Sequence, residues 1–310
     1  MSDVMQPQRQ SDALGGDRRV PPLQEIYAYV TEGCNLACRH CWLGPAFDRD
    51  GTHRAVLPVA TFESVLRQGK PLGLTHVKLT GGEPLLHPHF DELVDVTRRY
   101  DVAVRIETNG ILCTPDVAET IAGAVQPFVA VSLDGVDAET HEWVRGVPGA
   151  FEQTCNAVRN LVAVGLSPQI IMTLMRHNVH QLEAMIELAE DLKASSIKFN
   201  LVQPTARGAE LQAHGETLDI AEMIELGHRV DRDLAPRTAL ALHYDYPPAF
   251  RPLSSLAEGQ GLCWILGILG LLSNSTYALC GIGMHVPELV FGRADRDRLA
   301  DVWRDSRVLN

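Results

Sequence analysis

The chain has 310 residues, enough for one large α/β domain with an appendage or for two domains. Apolar residues make up 45% and charged residues 21%, an ordinary balance for a soluble globular protein. Lys and Arg number 27 against 39 Asp and Glu, so the net charge is −12, which disfavours nucleic acid as a general partner because like charges repel.

Residues Met1 to Pro22 are rich in Gln, Asp, Arg, Gly and Pro and read as a flexible N-terminal arm, with no apolar core ahead of a cleavage site. The longest apolar run, Trp264 to Leu272, is too short to span a bilayer as a helix. These features predict a cytoplasmic protein without a membrane partner. In that compartment its seven cysteines serve as ligands or free thiols rather than disulfides.

Glu25 to Thr31 is apolar and β-favouring and predicts a first strand. It runs into Gly33-Cys34-Asn35-Leu36-Ala37-Cys38-Arg39-His40-Cys41-Trp42, where Cys34, Cys38 and Cys41 stand close enough to face one metal centre. Three thiolates leave a cubane iron–sulfur cluster one ligand short, and an open position on a metal is where chemistry occurs. Taken alone, the spacing also suits a structural zinc site with His40 or a distant residue as fourth ligand, or buried thiols that bind nothing.

Asp48 to Val56 reads as a loop and Pro58 to Gln68 as a helix that Pro71-Leu72-Gly73 ends. His76 to Thr80 is the second strand, followed at once by Gly81-Gly82-Glu83-Pro84. Two glycines let backbone approach a ligand, and a carboxylate there can accept from an ammonium group; a plain turn explains the same residues. His87 and His89 bracket Pro88, a metal pair or the loop that opens a helix. Helix is predicted over Phe90 to Tyr100 and strand over Ala103 to Thr108, closed by Asn109-Gly110. Helix over Pro115 to Ala124 precedes a strand, Phe128 to Leu133, with Asp134-Gly135 at its end. A short helix carries His141 to Gly146. Beyond it come helix Phe151 to Val164, strand Gln169 to Leu174, helix Val179 to Leu192 and strand Ile197 to Leu201. Six strands alternating with helices predict a parallel sheet with right-handed crossovers. Polar motifs fall repeatedly at carboxyl ends of strands, where α/β sheets gather their ligands.

Together the cysteine loop, Gly81-Gly82-Glu83-Pro84, Glu107-Thr108-Asn109-Gly110, Ser132-Leu133-Asp134-Gly135 and Trp143-Val144-Arg145-Gly146 resemble the radical S-adenosylmethionine (SAM) enzymes, in the branch with a SPASM or twitch extension. The resemblance is strong from Glu25 to Leu201 and weak beyond. It implies an α/β fold, a partial (β/α)6 TIM-like barrel at 23–204, with a short α+β extension at 205–310. It implies that Cys34, Cys38 and Cys41 ligate a [4Fe–4S] cluster and that Gly81, Gly82 and Glu83 meet the SAM amino group. Thr108, Asn109, Ser132 and Asp134 would lie near the ribose and methionyl part, Arg145 would pair with the SAM carboxylate, and the backbone around His40 and the segment Asn200-Leu201-Val202 would flank the adenine. Asn109 and Asp134 read equally well as capping or turn residues. The implied activity is reductive cleavage of SAM to a 5′-deoxyadenosyl radical that abstracts hydrogen from a substrate. A ribosomally made peptide is the first choice and a small molecule the second, with a flavodoxin or ferredoxin as electron donor. A non-catalytic cluster-binding scaffold is the reading from another class.

Pro204 to Gly208 reads as a loop and Asp219 to Leu234 as a helix. Cys263, Ser275 and Cys280 resemble the opening of the SPASM pattern, in which glycine stands at the Ser275 position and the two cysteines hold an auxiliary cluster. No cysteine follows Cys280, so the expectation is a truncated chain, a lost auxiliary cluster, or one held by other ligands, with truncation or loss favoured; Cys263 and Cys280 then read equally as isolated buried thiols. Cys113 lies just past Asn109-Gly110, placed for a hydrogen donor or for a loop thiol without a role. Cys155 reads as core.

Overall fold

The computed structural model describes residues 20–52, 54–244, 248–250, 253 and 265–305. Its chain begins with β1 (Glu25–Tyr29), followed by the short pair β2 (Gly33–Cys34) and β3 (Ala46–Phe47). Then α1 (Val59–Gly69), β4 (His76–Thr80), α2 (Phe90–Arg99), β5 (Ala103–Thr108), α3 (Pro115–Ala122) and β6 (Phe128–Ser132) alternate. The pattern continues through α4 (Ala138–Arg145), α5 (Ala150–Ala163), β7 (Gln169–Leu174), α6 (Leu182–Asp191) and β8 (Ser196–Leu201). Beyond these lie α7 (Arg207–Ala213), α8 (Ile220–Arg229), β9 (Ala241–Tyr244), β10 (Ile268–Leu271), β11 (Thr276–Ala278), β12 (Val290–Arg293) and α9 (Leu299–Asp305).

Local chemistry sets several boundaries. Thr114 caps α3 by accepting from Val117 N at 3.3 Å, with Pro115 at the first helical position. Asp137 caps α4 by accepting from Thr140 N, and Gly146 ends that helix in the left-handed conformation at φ 73°. Asp219 and Glu222 form a reciprocal capping box on α8. The predicted helix over Val179 to Leu192 opens as a 3₁₀ turn before α6, and that over Asp219 to Leu234 ends in a π turn after α8.

All six predicted strands form, as β1 and β4 to β8, in one ten-stranded sheet of order β12-β11-β10-β1-β4-β5-β6-β7-β8-β9. Sequence analysis missed its flanks. β9 adds in parallel to β8, and β10 adds in parallel to β1 with Glu25 opposite Ile268. β11 and β12 then turn back antiparallel. The apolar run read as Trp264 to Leu272 thus supplies a fully buried strand, the usual setting for an unbroken apolar segment.

The helices bury one face against this sheet: Phe62, Val65 and Leu66 of α1 and Leu93 and Val94 of α2 enter the same core as Ile26, Val77, Val104 and Val131. Trp303 of α9 donates from Nε1 to Pro21 O at 2.8 Å, and Leu299 N donates to Gln68 Oε1 at 3.0 Å, which seats the last helix beside α1. Ser275, in the β10–β11 turn, stands at φ 66°, a left-handed conformation that glycine reaches without steric cost. Among the described residues no helix is long and apolar enough to cross a membrane.

Candidate active site

β1 delivers the chain to the cysteine loop. Thr31 fixes the turn, its Oγ1 accepting from Gly33 N at 3.1 Å and its carbonyl from Gly82 N at 3.0 Å. β2 and β3 pair in parallel and close the loop between them. Ala37 N donates to Arg145 O and Arg39 N to Val144 O, so the loop also leans on the end of α4. Cys34 and Cys38 are buried and Cys41 is half-buried; Leu36, Ala150, Ile111 and Val147 pack around them. Burial pushes the Cys34 and Cys38 thiols up, for Cys38 against the pull of Arg145. Such thiols lose their protons only to a metal charge that replaces the missing water.

Glu83 stands beside this loop, buried at 1% exposure. Its Oε1 accepts from Thr108 Oγ1 at 2.6 Å and Leu85 N at 3.0 Å, and its Oε2 accepts from Asn109 N at 2.8 Å. Burial pushes the carboxyl up to about 6 despite those three donors. Asn109 in turn donates to Asn35 Oδ1 at 2.7 Å, and its Nδ2 lies 3.9 Å from Cys34 Sγ. Gly82 is required for close approach, because a Cβ there would sit 1.8 Å from Gly33 O.

Asp134 is a second buried hub. It pairs with Arg145 at 2.8 Å and His40 at 3.0 Å and accepts from Thr173 N at 2.7 Å. Burial alone would push its carboxyl up; Arg145 and His40 together outweigh that and hold it well below the usual carboxylate range. His141 accepts from Asp134 N on Nδ1, and burial with the nearby Arg145 charge holds its imidazole down to about 3, so it is neutral. Arg145 also places Nη1 3.5 Å from Cys38 Sγ, while its Nε is buried without a partner among the described residues.

These loops enclose a cavity of about 430 Å³ inside the carboxyl end of the sheet. Cys34, Cys38 and Cys41 line it, as do Gly81, Gly82, Glu83, Thr108, Asn109, Ser132 and Arg145. The structure thus brings most of the predicted site to one wall. Thr108, Asn109 and Asp134 spend their hydrogen bonds on joining loops, and Arg145 spends both Nη groups on Asp134 and Cys38. Of the residues expected at the adenine, His40, Asn200 and Leu201 line the cavity, whereas Val202 packs with Val144, Met175 and Leu211. Cys113 is corrected. It lies in the main apolar core, 3% exposed, with its thiol pushed up to about 12 by burial, and it has no face on the cavity. Cys155 is core. Cys280 also lines the cavity, whereas Cys263 lies outside the described residues.

The cavity wall suits a cluster with SAM. Three thiols face one space, two glycines remove Cβ atoms, and a buried guanidinium nitrogen has no partner. Among the described residues no three His, Cys, Asp or Glu side chains, the three thiols included, are drawn tight enough to hold a single metal ion, and a cubane takes each thiolate on a different iron. His40, the fourth ligand of the zinc alternative, is taken by Asp134, and His87 is committed to Leu57 O at 2.9 Å.

Deeper in the barrel, residues passed over in the sequence line the same cavity. Lys78 Nζ meets Glu107 Oε1 at 2.9 Å and lies 4.0 Å from the centre of the Tyr27 ring. The Glu107 carboxylate is deep within the fold yet 38% exposed, because it faces the cavity. Burial opposes its charge, and Lys78 more than offsets that, holding it low. The signal was present: Glu25, Tyr27 and Tyr29 alternate along β1, as do Lys78 with Thr80 and Arg105 with Glu107, and polar side chains every second residue inside apolar strands mark a lumen.

A model of the radical SAM superfamily matches residues 28–189. The mycofactocin maturase MftC of Mycobacterium ulcerans (strain Agy99) is 34% identical over 183 residues, which are 59% of this chain and 48% of that protein. The chain therefore spans about half the length of that relative. The AdoMet-dependent heme synthase of Nitratidesulfovibrio vulgaris (strain Hildenborough) is 33% identical over 307 residues, covering 92% of this chain and 80% of that protein. In fold, Streptococcus suis SuiB bound to precursor peptide SuiA superposes with a TM-score of 0.76 at 19% identity, over 94% of this chain and 66% of that one.

Proposed function

Since the chain belongs to the radical SAM superfamily, we propose that it cleaves SAM reductively and turns the resulting radical on a ribosomally made peptide or protein. The observation that carries this reading is the single cavity on which Cys34, Cys38 and Cys41 converge with Gly81, Gly82, Glu83 and Arg145. When bound, a [4Fe–4S] cluster with SAM supplies one electron that splits SAM into methionine and a 5′-deoxyadenosyl radical, which takes a hydrogen atom from the substrate.

In this reading the chain's own residues do four things. The three cysteines hold the cluster as thiolates, and Arg145 beside Cys38 favours the charged sulfur. The Gly81-Gly82 backbone admits the SAM amino group, with Glu83 as the nearest carboxylate and Arg145 Nε left over for the SAM carboxylate. Leu36, Ile111, Val147 and Ala150 exclude water from the thiols. Thr108, Asn109 and Asp134 hold the loops in register, and Ser132 faces the methionyl side. Residues 23–204 are the catalytic barrel, and 205–310 form an extension that adds β10 beside β1. The electron comes from a flavodoxin or ferredoxin.

The peptide substrate is supported by the relative named a maturase. A second reading, a small-molecule substrate, is favoured by one observation: the relative named a heme synthase matches nearly the whole chain and four-fifths of its own length.

The test is anaerobic reconstitution with iron and sulfide, then SAM and dithionite, with 5′-deoxyadenosine followed by mass. The wild type is expected to form it, and the C34A/C38A/C41A triple variant is not. About four irons per chain indicate one cluster and about eight indicate a second in the extension. Zinc in place of iron, or equal deoxyadenosine from both proteins, sinks the proposal.

A further inference from the structure

We propose that Arg207 is a carboxylate receptor built into the cavity wall, and that a carboxylate of the bound substrate docks on it. The inference rests on reading this cavity as the place where substrate and SAM meet. Three Lys or Arg side chains line the cavity. Lys78 is paired with Glu107, and Arg145 with Asp134. Arg207 has no ion pair among the described residues. Its Nη1 donates to Pro45 O at 3.3 Å, while its Nε and Nη2 are buried with no partner among those residues.

Chemistry narrows the ligand. A guanidinium does not give up its proton in a protein, so two buried N–H groups stay charged and unsatisfied until something accepts from them. Nε and Nη2 share one edge of the planar fork, the edge that meets two carboxylate oxygens side by side. A neutral carbonyl satisfies one of them and leaves the charge uncompensated.

The receptor is held in place before any ligand arrives. Thr205 Oγ1 donates to Trp42 O at 3.3 Å, so the segment bearing Arg207 is bonded to the far arm of the cysteine loop at two points. Gly208 packs so close that a Cβ would lie 2.1 Å from Gln203 O. His285 Nε2 lies 3.1 Å from the same Trp42 carbonyl, so the extension braces this arm from the other side. A carboxylate on Arg207 therefore sits at a fixed distance from the thiols, which makes Arg207 a determinant of what is presented to the radical.

The experiment uses the reconstituted full chain, with acetate as the probe and sodium chloride to keep ionic strength constant. Acetate is expected to raise the thermal midpoint of the wild type and not of R207Q, because a ligand that binds only the folded state stabilises it. SAM and decarboxylated SAM are titrated in parallel by equilibrium dialysis. Acetate is expected to act equally with SAM present, and R207Q to leave SAM affinity unchanged. If instead SAM removes the acetate effect and binds R207Q about tenfold to hundredfold more weakly, with decarboxylated SAM binding both proteins alike, the assignment to substrate is overturned. R207K keeps the charge and loses the fork; it is expected to recover little of the acetate effect and carries the test should R207Q not fold. No acetate shift in the wild type together with unchanged SAM binding in R207Q overturns the proposal, and full acetate binding by R207K overturns the forked geometry. Because acetate needs no SAM cleavage, failure of the radical SAM reading leaves the acetate arm to be judged separately.

Discussion

Replacing Gly82 by alanine tests whether the glycine loop positions the thiols. The added Cβ would lie 1.8 Å from Gly33 O and 2.5 Å from Gly33 C, where real Cβ contacts stay beyond 3.0 Å. Both neighbours are backbone, so the two loops must part by more than an ångström. Gly82 N→Thr31 O at 3.0 Å and Glu83 N→Gly33 O at 2.9 Å hold them together, and an opening of that size breaks both. Each buried donor left without a partner costs about 1–3 kcal/mol, so G82A is expected to lose about 4 kcal/mol in urea unfolding. Cys34 follows Gly33 directly, so iron per chain after anaerobic reconstitution falls with stability. Gly165 supplies the control. It stands at φ 86° with nothing within 4 Å of a Cβ, so G165A incurs about 1 kcal/mol of backbone strain and binds iron normally. A G82A protein within about 1 kcal/mol of wild type and fully loaded with iron would refute the reasoning.

Three more outcomes are expected. D134N strands the buried Arg145 charge and should cost about 3–5 kcal/mol by urea unfolding. Since the Asp134 carboxyl is held low in the fold, its contribution is present above the unfolded-state value and lost only at strongly acid pH, so the difference between D134N and wild type should be flat from pH 5 to 8; a difference that vanishes at pH 5 contradicts the pairing. Glu83 has the opposite sign: its carboxyl is raised from 4.5 to about 6, so the metal-free fold holds that proton longer than the unfolded chain and loses about 2 kcal/mol as pH rises across this interval. E83Q should remove that slope, and an unchanged slope counts against Glu83 as its source. S275G relieves the φ of 66° and should raise stability by about 0.5–1 kcal/mol in the same assay, whereas a less stable S275G would mean that the hydroxyl is needed in the turn.

The central strands were readable because β7 is a largely apolar, fully buried run, while β4 and β5 alternate apolar with polar residues and stop at Gly81 and at Asn109-Gly110. β9 was not: Ala241 to Tyr244 is mostly exposed at a sheet edge, where nothing forces an apolar pattern. β10 lay within an apolar run whose length alone does not separate strand from buried helix, and its place beside β1 is a long-range pairing that no local signal carries. The three thiols were legible from spacing, since one loop holds them all. What spacing could not reveal is who competes for each polar group. Arg145 and Asp134 each read as cofactor partners, but burial brings their charges together first. Val202 lies just past the end of β8 and joins the cluster of Val144, Met175 and Leu211, while Asn200, Leu201 and Gln203 take the wall; which residues of that segment turn inward is decided by this packing and not by spacing. Arg207 went unread because its value lies in two unused N–H groups, visible only when the packing around them is known.

The two buried carboxylates change how activity loss at this site must be read. Glu83 fastens the loop after β4 to the loop after β5, and Asp134 fastens His40 of the cysteine loop to Arg145 of α4 and Thr173 of β7. Both act on the thiols through backbone position. Under the proposed function a variant of either is therefore expected to lose SAM cleavage whether or not the side chain touches SAM, and activity alone does not separate contact from support. Iron content does. A residue that only contacts SAM leaves iron loading intact when removed and weakens SAM binding. A residue that holds the loops lowers iron loading and stability together, and SAM binding declines only because its platform is gone. The geometry puts Asp134 and Thr108 in the second class. Arg145 falls in both, because its Nη groups serve Asp134 and Cys38 while its Nε stays available. R145K should therefore keep more iron than D134N while losing more SAM affinity per iron bound. The reverse order, measured on the same preparations, would show that Arg145 is purely structural.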